Sequence, residues 1–256
     1  AVYRGRDTLF GRPVAIKLLL DEHLNRPELR WRFGEEVRIT AALQHPSVIP
    51  VYDTGTCAAG RPYYVMRLVE GDTLEALLAA RPDPGHDRSR FLKVFEKVCE
   101  GVAFAHSRGV IHRDVSPANI VVNAQGKVKL TDFGLAKGLS DPSLTEMGGM
   151  YGSPFYVSPE QVRGAANVDH RSDIYSTAVV LYELVTGTRP FIAASSFLLM
   201  QAHVQQVPEP PIYRNSAIPQ YLNRAILRAL AKNPDDRFQS SEEFLAAVDG
   251  PQAAPA

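Results

Sequence analysis

The sequence has little cysteine and no excess of charge of either sign. Its 256 residues include two cysteines, Cys57 and Cys99, which lie far apart and form no CxxC pair. This excludes a disulfide-rich scaffold and a paired-cysteine metal site, so we expect two reduced thiols. The 28 basic and 28 acidic side chains give a formal net charge of zero. An even charge balance gives no reason to expect nucleic acid as a partner.

Long apolar runs are also missing from the chain. No stretch approaches the roughly 20 apolar residues of a transmembrane helix, and no signal peptide is visible. We therefore predict no membrane contact within this segment and a cytoplasmic location, although a longer parent protein could be anchored elsewhere. The apolar fraction of 45% is ordinary for a globular protein.

The hydrophobic pattern changes character near the end of the first quarter of the chain. The segments 48–55 and 62–69 are typical of a hairpin, and a predicted helix begins near Pro27. From Asp72 onward, apolar residues recur mostly at helical spacing. The pattern predicts an α+β, bilobal protein with a small β-rich lobe and a larger helical lobe. The predicted division is 1–66 for the small lobe, 67–72 for a hinge, 73–249 for the large lobe and 250–256 for the start of a linker.

The segment VAIK (14–17) is a predicted strand that carries Ala15 and Lys17 on one face. A small alanine there could flank a flat base while the lysine ammonium reaches the phosphates of the same ligand. Glu36, on the predicted helix that follows, could pair with Lys17 and hold it in place. Taken alone, Lys17 and Glu36 are each better explained as solvated side chains.

The loop HRDVSPAN (112–119) is a more specific pattern. Its Asp114 carboxylate can accept a proton from an attacking hydroxyl, and Asn119 offers a neutral oxygen to a hard cation such as Mg²⁺. The motif DFG (132–134) follows a short predicted strand, and its Asp132 supplies a second oxygen ligand. Together these residues predict a site for chemistry on phosphate.

VAIK, Glu36, HRDxxxxN, DFG and SPE (158–160) occur here in the order and spacing of the eukaryotic-like, Hanks-type protein kinases. Essentially the whole chain resembles this family, and segments such as NPDDRFQS resemble its bacterial serine/threonine kinases. The resemblance implies a protein kinase fold and transfer of the ATP γ-phosphate to Ser and Thr hydroxyls of protein substrates. It also implies Mg²⁺ as the cofactor, with Mn²⁺ as an alternative.

The resemblance assigns a role to each motif residue. Asp114 would be the catalytic base, Lys17 would contact the α- and β-phosphates and pair with Glu36, and Asn119 and Asp132 would hold the metal. The adenine site would consist of Ala15, the gatekeeper Met66 and the backbones of Arg67 and Val69. Three more residues are expected to be scaffold: Asp173 as the anchor of the catalytic loop, and Glu160 with Arg237 as an ion pair of the large lobe.

Two features depart from the family pattern. The first is the missing glycine-rich loop of the family. The chain starts with AVYRGRD (1–7), which resembles the strand that follows this loop, so we interpret the sequence as a fragment.

The second departure is Ser116. It stands two residues after the catalytic aspartate, where most serine/threonine kinases carry a lysine for the γ-phosphate. Removing one preorganised donor of this kind typically costs about 10²–10³ in rate. We therefore expect phosphoryl transfer to be slower, or another group to compensate for the missing lysine.

Regulation is expected to centre on Arg113 and Thr145. An arginine before the catalytic aspartate often receives a phosphorylated activation-loop residue in this family. Thr145 lies where bacterial relatives carry their main activating threonine, so we predict autophosphorylation there, with self-association for transfer between copies. Ser140, Ser143 and Tyr151 are weaker candidates.

Two other functions stay open at this point. A pseudokinase could bind nucleotide or partners with little catalysis, which Ser116 and the missing loop would favour. A kinase-fold enzyme could instead act on a small molecule, although SPE (158–160) and Arg237 favour protein acceptors.

Overall fold

A computed structural model describes residues 1–133, 154–165 and 168–250 of the chain. Its first part is an antiparallel sheet of four strands in the spatial order β1-β2-β4-β3. The strands are β1 (Val2–Asp7), β2 (Arg12–Leu18), β3 (Val51–Thr56) and β4 (Pro62–Arg67). One α-helix, α1 (Pro27–Ala42), follows β2 in the chain.

Helix α1 begins where the sequence predicts it, at Pro27. Proline suits a first helical position because its missing N–H would have no partner there and its backbone angle φ is already helical. The helix packs on the sheet through Phe33 and Val37, which share a small apolar core with Tyr64 and Met66 of β4. This packing sets the position of α1 relative to β2 and β4.

The chain after residue 72 is mainly helical. A second, three-stranded sheet consists of β5 (Asp72–Thr73), β6 (Ile120–Val122) and β7 (Val128–Leu130). The helices are α2 (Leu74–Ala80), α3 (Arg88–Ser107), α4 (Pro159–Val162), α5 (Arg171–Thr186), α6 (Ser196–Gln205), α7 (Pro211–Arg214), α8 (Gln220–Ala229) and α9 (Ser241–Asp249). Among the described helices, none has the length and apolar character needed to cross a membrane.

The larger core surrounds α5, in which nearly every residue is buried. Such a helix lies in the centre of its domain, because other elements cover it on every side and its few polar side chains are buried with it. It ends at Gly187, whose φ of 76° is the left-handed conformation that glycine adopts at low cost. The buried face of α3 is an apolar stripe at helical spacing: Phe91, Val94, Phe95, Val98, Val102 and Ala105.

The sequence patterns did not predict the short elements α2, α4, α7 and β5. Strand β5 begins at Asp72, within the predicted hinge. A Cβ added at Gly71 would lie 2.4 Å from the carbonyl oxygen of Val122, so only glycine fits where the chain passes β6. The predicted boundaries at 66 and 73 stay predictions, while the observed β4 ends at Arg67.

Candidate active site

Lys17 lies on β2 with its ammonium group between two carboxylates. Its Nζ is 2.7 Å from Oε1 of Glu36 on α1, and it also contacts the carboxylate of Asp132. Burial acts to lower the pKa of Lys17, but Asp132 and Glu36 outweigh it and hold that pKa above its ordinary value. The group therefore stays cationic at neutral pH, as binding to phosphate requires.

The catalytic-loop residues Asp114 and Asn119 are held together by the asparagine amide. Nδ2 of Asn119 donates to Oδ2 of Asp114 at 2.5 Å and to the Asp114 carbonyl at 2.9 Å. The backbone N–H of Asn119 donates to the Ser116 carbonyl at 3.0 Å, closing the short turn Pro117–Asn119. Because its nitrogen is used in the loop, Asn119 has its side-chain oxygen left to offer a cation.

The start of this loop is anchored by Asp173, which is fully buried in the first turn of α5. Its carboxylate accepts the backbone N–H groups of His112 and Arg113, both at 2.7 Å, and Nε2 of His106 at 2.8 Å. Burial acts to raise the pKa of Asp173, yet these donors hold it below its ordinary value. Arg113 has a φ of 65°, which is uncommon for a non-glycine residue, and the anchor stabilises that conformation.

Asp132, like Arg113, has a left-handed backbone conformation, with a φ of 57°. The neighbouring Phe133 is buried against His112, with the ring centroids 4.4 Å apart. Nε2 of His112 lies 3.1 Å from the Thr131 carbonyl oxygen. The packing of Phe133 and this hydrogen bond join DFG to the catalytic loop and place Asp132 beside Lys17.

Helix α4 supports the catalytic loop from the other side, through a residue that the motif analysis missed. Nε2 of Gln161 donates to the Arg113 carbonyl at 2.8 Å. Gln161 is held in turn by a capping box with Ser158 at the start of α4. The pattern Ser-x-x-Gln at 158–161 is a sequence signature of such a box and could have identified Gln161.

Glu160 and Arg237 form the buried ion pair that the resemblance implies. Two nitrogens of Arg237 donate to the two carboxylate oxygens of Glu160 at 2.7 and 2.8 Å. Burial acts to raise the pKa of Glu160, but the hydrogen bonds and charge of Arg237 hold it below its ordinary value. Planar bidentate pairing of this kind is the strongest form of carboxylate recognition by arginine.

The predicted adenine residues lie on facing strands. Ala15 of β2 is directly opposite Met66 of β4, and both side chains are buried. The backbone N–H of Arg67 donates to the Pro50 carbonyl at 3.0 Å. The N–H of Arg67 is therefore used within the fold, and only its carbonyl could make the predicted contact with adenine. Val69 follows in the segment between β4 and β5.

Ser116, which replaces the usual lysine, is buried at the start of the turn that ends with Asn119. Its carbonyl helps to shape the loop, but its neutral hydroxyl supplies none of the positive charge that a lysine would bring. The four predicted phosphorylation sites lie outside the described residues: Ser140, Ser143, Thr145 and Tyr151. Gly134 of DFG also lies outside them.

Comparison with known proteins decides the family. A family model described as the protein kinase domain matches residues 1–247. The chain is a protein kinase domain. The kinase domain is 41% identical over 249 residues to the serine/threonine-protein kinase PknB of Mycobacterium leprae, covering 96% of the chain and 40% of that relative. It is 36% identical over 248 residues to a probable serine/threonine-protein kinase of Streptomyces coelicolor, covering 95% of the chain and 36% of that relative.

Solved structures agree with this assignment. The crystal structure of the PknI kinase domain of Mycobacterium tuberculosis matches with a TM-score of 0.75 and 29% identity, covering 97% of this chain and 89% of that one. The predicted family and the predicted α+β fold are therefore confirmed. The kinase domain spans about 40% of the length of the PknB relatives.

The donor set at the site suits a hard divalent cation that is shared with a phosphate ligand. Within the described ranges, no cluster of three or more His, Cys, Asp or Glu side chains could hold a metal by itself. Mg²⁺ usually takes one or two carboxylates and completes its shell with substrate phosphates and water. Asn119 and Asp132 supply oxygen donors of that kind, so the residues fit a metal that arrives with nucleotide.

Proposed function

We propose that this kinase domain transfers the γ-phosphate of ATP to serine and threonine hydroxyls of proteins. The observation that carries the proposal is the contact of Lys17 with both Glu36 and Asp132, next to a loop in which Asn119 holds Asp114. The names of the relatives, which are serine/threonine kinases, support the choice of acceptor. A cytoplasmic location belongs to the same proposal, because ATP is available there.

Each residue has a defined task in this mechanism. Asp114 accepts the proton of the acceptor hydroxyl, and the Lys17 ammonium contacts the α- and β-phosphates. Adenine binds to the carbonyl of Arg67 and the backbone of Val69. A divalent cation held by Asn119 and Asp132, Mg²⁺ or alternatively Mn²⁺, would neutralise charge on the phosphates.

A γ-phosphate transfer assay on the full-length protein tests the proposal. We expect incorporation of labelled phosphate into a generic protein acceptor, dependent on a divalent cation, with the Asp114→Asn variant as background. Acid hydrolysis of the product should release phosphoserine and phosphothreonine rather than phosphotyrosine. Incorporation no higher than in Asp114→Asn would contradict the proposal and favour a scaffolding role.

Thr145 is the second part of the proposal, as the site that activates the enzyme when phosphorylated. A phosphate adds about −1.5 to −2 charges at neutral pH and pairs well with arginine. Arg113 is suited to receive it, because no described residue accepts a hydrogen bond from its buried Nε. We expect Thr145→Ala to lower the rate of transfer to a protein acceptor, with phosphosite mapping to show the modification in the unaltered protein.

Thr8→Ala is the matched control and should leave the rate unchanged, because Thr8 is an exposed threonine in the turn between β1 and β2. If Thr145→Ala retains the full rate, activation through this residue is wrong. Transfer between copies can be measured in the same assay by adding the inactive Asp114→Asn protein as acceptor. Labelling of that protein in proportion to the concentration of active enzyme would support self-association.

A further inference from the structure

Tyr64 contacts the Lys17–Glu36 ion pair from strand β4. Its hydroxyl donates to Oε1 of Glu36 at 2.8 Å, the same oxygen that accepts Nζ of Lys17 at 2.7 Å. Tyr64 lies directly opposite Lys17 in the pairing of β4 with β2, and the Lys17 nitrogen is 5.8 Å from the centre of its ring. One tyrosine on β4 therefore touches both members of the pair.

The same tyrosine also packs on α1. Its ring centroid is 5.4 Å from that of Phe33, which lies one turn before Glu36. Burial and the nearby carboxylates of Glu36 and Asp132 raise the pKa of Tyr64 above its ordinary value. The hydroxyl therefore stays protonated and can donate to Glu36 at all physiological pH values.

We propose that Tyr64 is a positioning residue for phosphoryl transfer, because its hydroxyl holds Glu36 in the orientation in which Glu36 fixes Lys17 for ATP. Tyr64 is 2% exposed. If α1 turned Glu36 away, the buried hydroxyl would lose its acceptor, which is costly for any polar group shielded from water. The hydroxyl thus favours the position of α1 that joins Glu36 to Lys17. This inference rests on the proposed use of ATP.

The hydroxyl of Tyr64 matters because Lys17 has a second carboxylate partner. Lys17 contacts Asp132 as well as Glu36, so two carboxylates compete for one ammonium group. Thr40 holds the backbone of Glu36 from within α1, through a bond from its Oγ1 to the Glu36 carbonyl at 2.7 Å. Besides Lys17 of β2, Tyr64 of β4 holds the Glu36 carboxylate from the sheet.

The test is a double-mutant cycle read out as ATP affinity. Tyr64→Phe removes one oxygen and keeps the packing of the ring, and we expect it to weaken equilibrium binding of Mg-ATP to the full-length protein by about three- to tenfold. The KM for ATP should rise by a similar factor, with the KM for the protein acceptor unchanged. Tyr63→Phe, which removes a hydroxyl from the next residue of β4, should change neither quantity.

The second half of the cycle separates positioning from packing. In a Glu36→Ala background, Tyr64→Phe should weaken ATP binding no further, because its acceptor is already gone. Equal losses in both backgrounds, or no loss in either, would overturn the inference while leaving the kinase function standing. A wild-type protein that binds no ATP would instead contradict the proposed function itself.

Discussion

Replacing Asp114 with asparagine is expected to lower the kcat for phosphoryl transfer by about 10²–10⁴, the usual contribution of a positioned general base. The substitution keeps the shape of the side chain and removes its ability to take a proton. An asparagine oxygen can still accept the 2.5 Å hydrogen bond that Asn119 donates to Oδ2 of Asp114. The loss should therefore reflect chemistry rather than collapse of the loop.

Steady-state kinetics with thermal denaturation and ATP binding check this expectation. The melting temperature and the affinity for Mg-ATP should stay close to those of the unaltered protein while kcat falls. Asp53→Asn is the matched control, since Asp53 is exposed on β3 and its substitution should leave kcat unchanged. A variant Asp114→Asn that keeps more than about one tenth of the rate would show that Asp114 is not the base.

Replacing Arg237 with methionine is expected to lower the free energy of unfolding by about 3–5 kcal/mol. The Arg237 side chain is fully buried and donates to both oxygens of Glu160 at 2.7 and 2.8 Å. It also donates to the carbonyls of Ala231 and Arg171, at 2.8 and 2.9 Å. Its loss leaves the Glu160 carboxylate buried without its main partner, because the remaining Ser172 hydroxyl carries no positive charge.

Denaturant titration and thermal unfolding measure this effect. For a chain of this length, the expected change corresponds to a fall in melting temperature of roughly 6–20 °C. Arg38→Met is the control, because Arg38 pairs with Glu35 at 2.6 Å on the exposed face of α1 and such pairs contribute little. Equal melting temperatures for Arg237→Met and Arg38→Met would contradict a structural role for the buried pair.

The loss of stability in Arg237→Met should depend on pH. The pKa of Glu160 is held below its ordinary value of 4.5, so the unfolded state takes up a proton first as the pH falls. The contribution of the pair is therefore complete above pH 4.5 and is lost as the pH falls through the lowered pKa. The stability difference between the unaltered protein and Arg237→Met should shrink in that range, and a constant difference would show that Glu160 does not mediate it.

Much of the site follows from local sequence. The two left-handed residues Arg113 and Asp132 belong to motifs whose chemistry can be interpreted from residue type alone. Each step of the expected chemistry depends on one type of side chain. A carboxylate accepts the proton of the acceptor hydroxyl, oxygen ligands bind a hard cation, and a lysine contacts phosphate. The strand alternation at Ala15 and Lys17 and the start of α1 at Pro27 are likewise local, because backbone geometry alone sets them.

The fold was predictable where elements are long and periodic. The buried face of α3 and the almost entirely buried α5 repeat one preference over several turns, so that single contacts with neighbouring elements do not change it. The short elements α2, α4 and α7 carry only one or two turns. Their own hydrogen bonds do not make such helices stable, so tertiary packing determines them and sequence patterns miss them.

The sequence by itself determined which atoms the proposed phosphoryl transfer would use, because the chemistry of Lys17, Asp114, Asn119 and Asp132 belongs to their side chains. Only the tertiary structure decided which residues hold those atoms in place. The hydroxyl of Tyr64 reaches Glu36 and the amide of Gln161 reaches the Arg113 carbonyl across long stretches of chain. Contacts of this kind have no local pattern, since they depend on the distance between elements that come together only when the chain has folded.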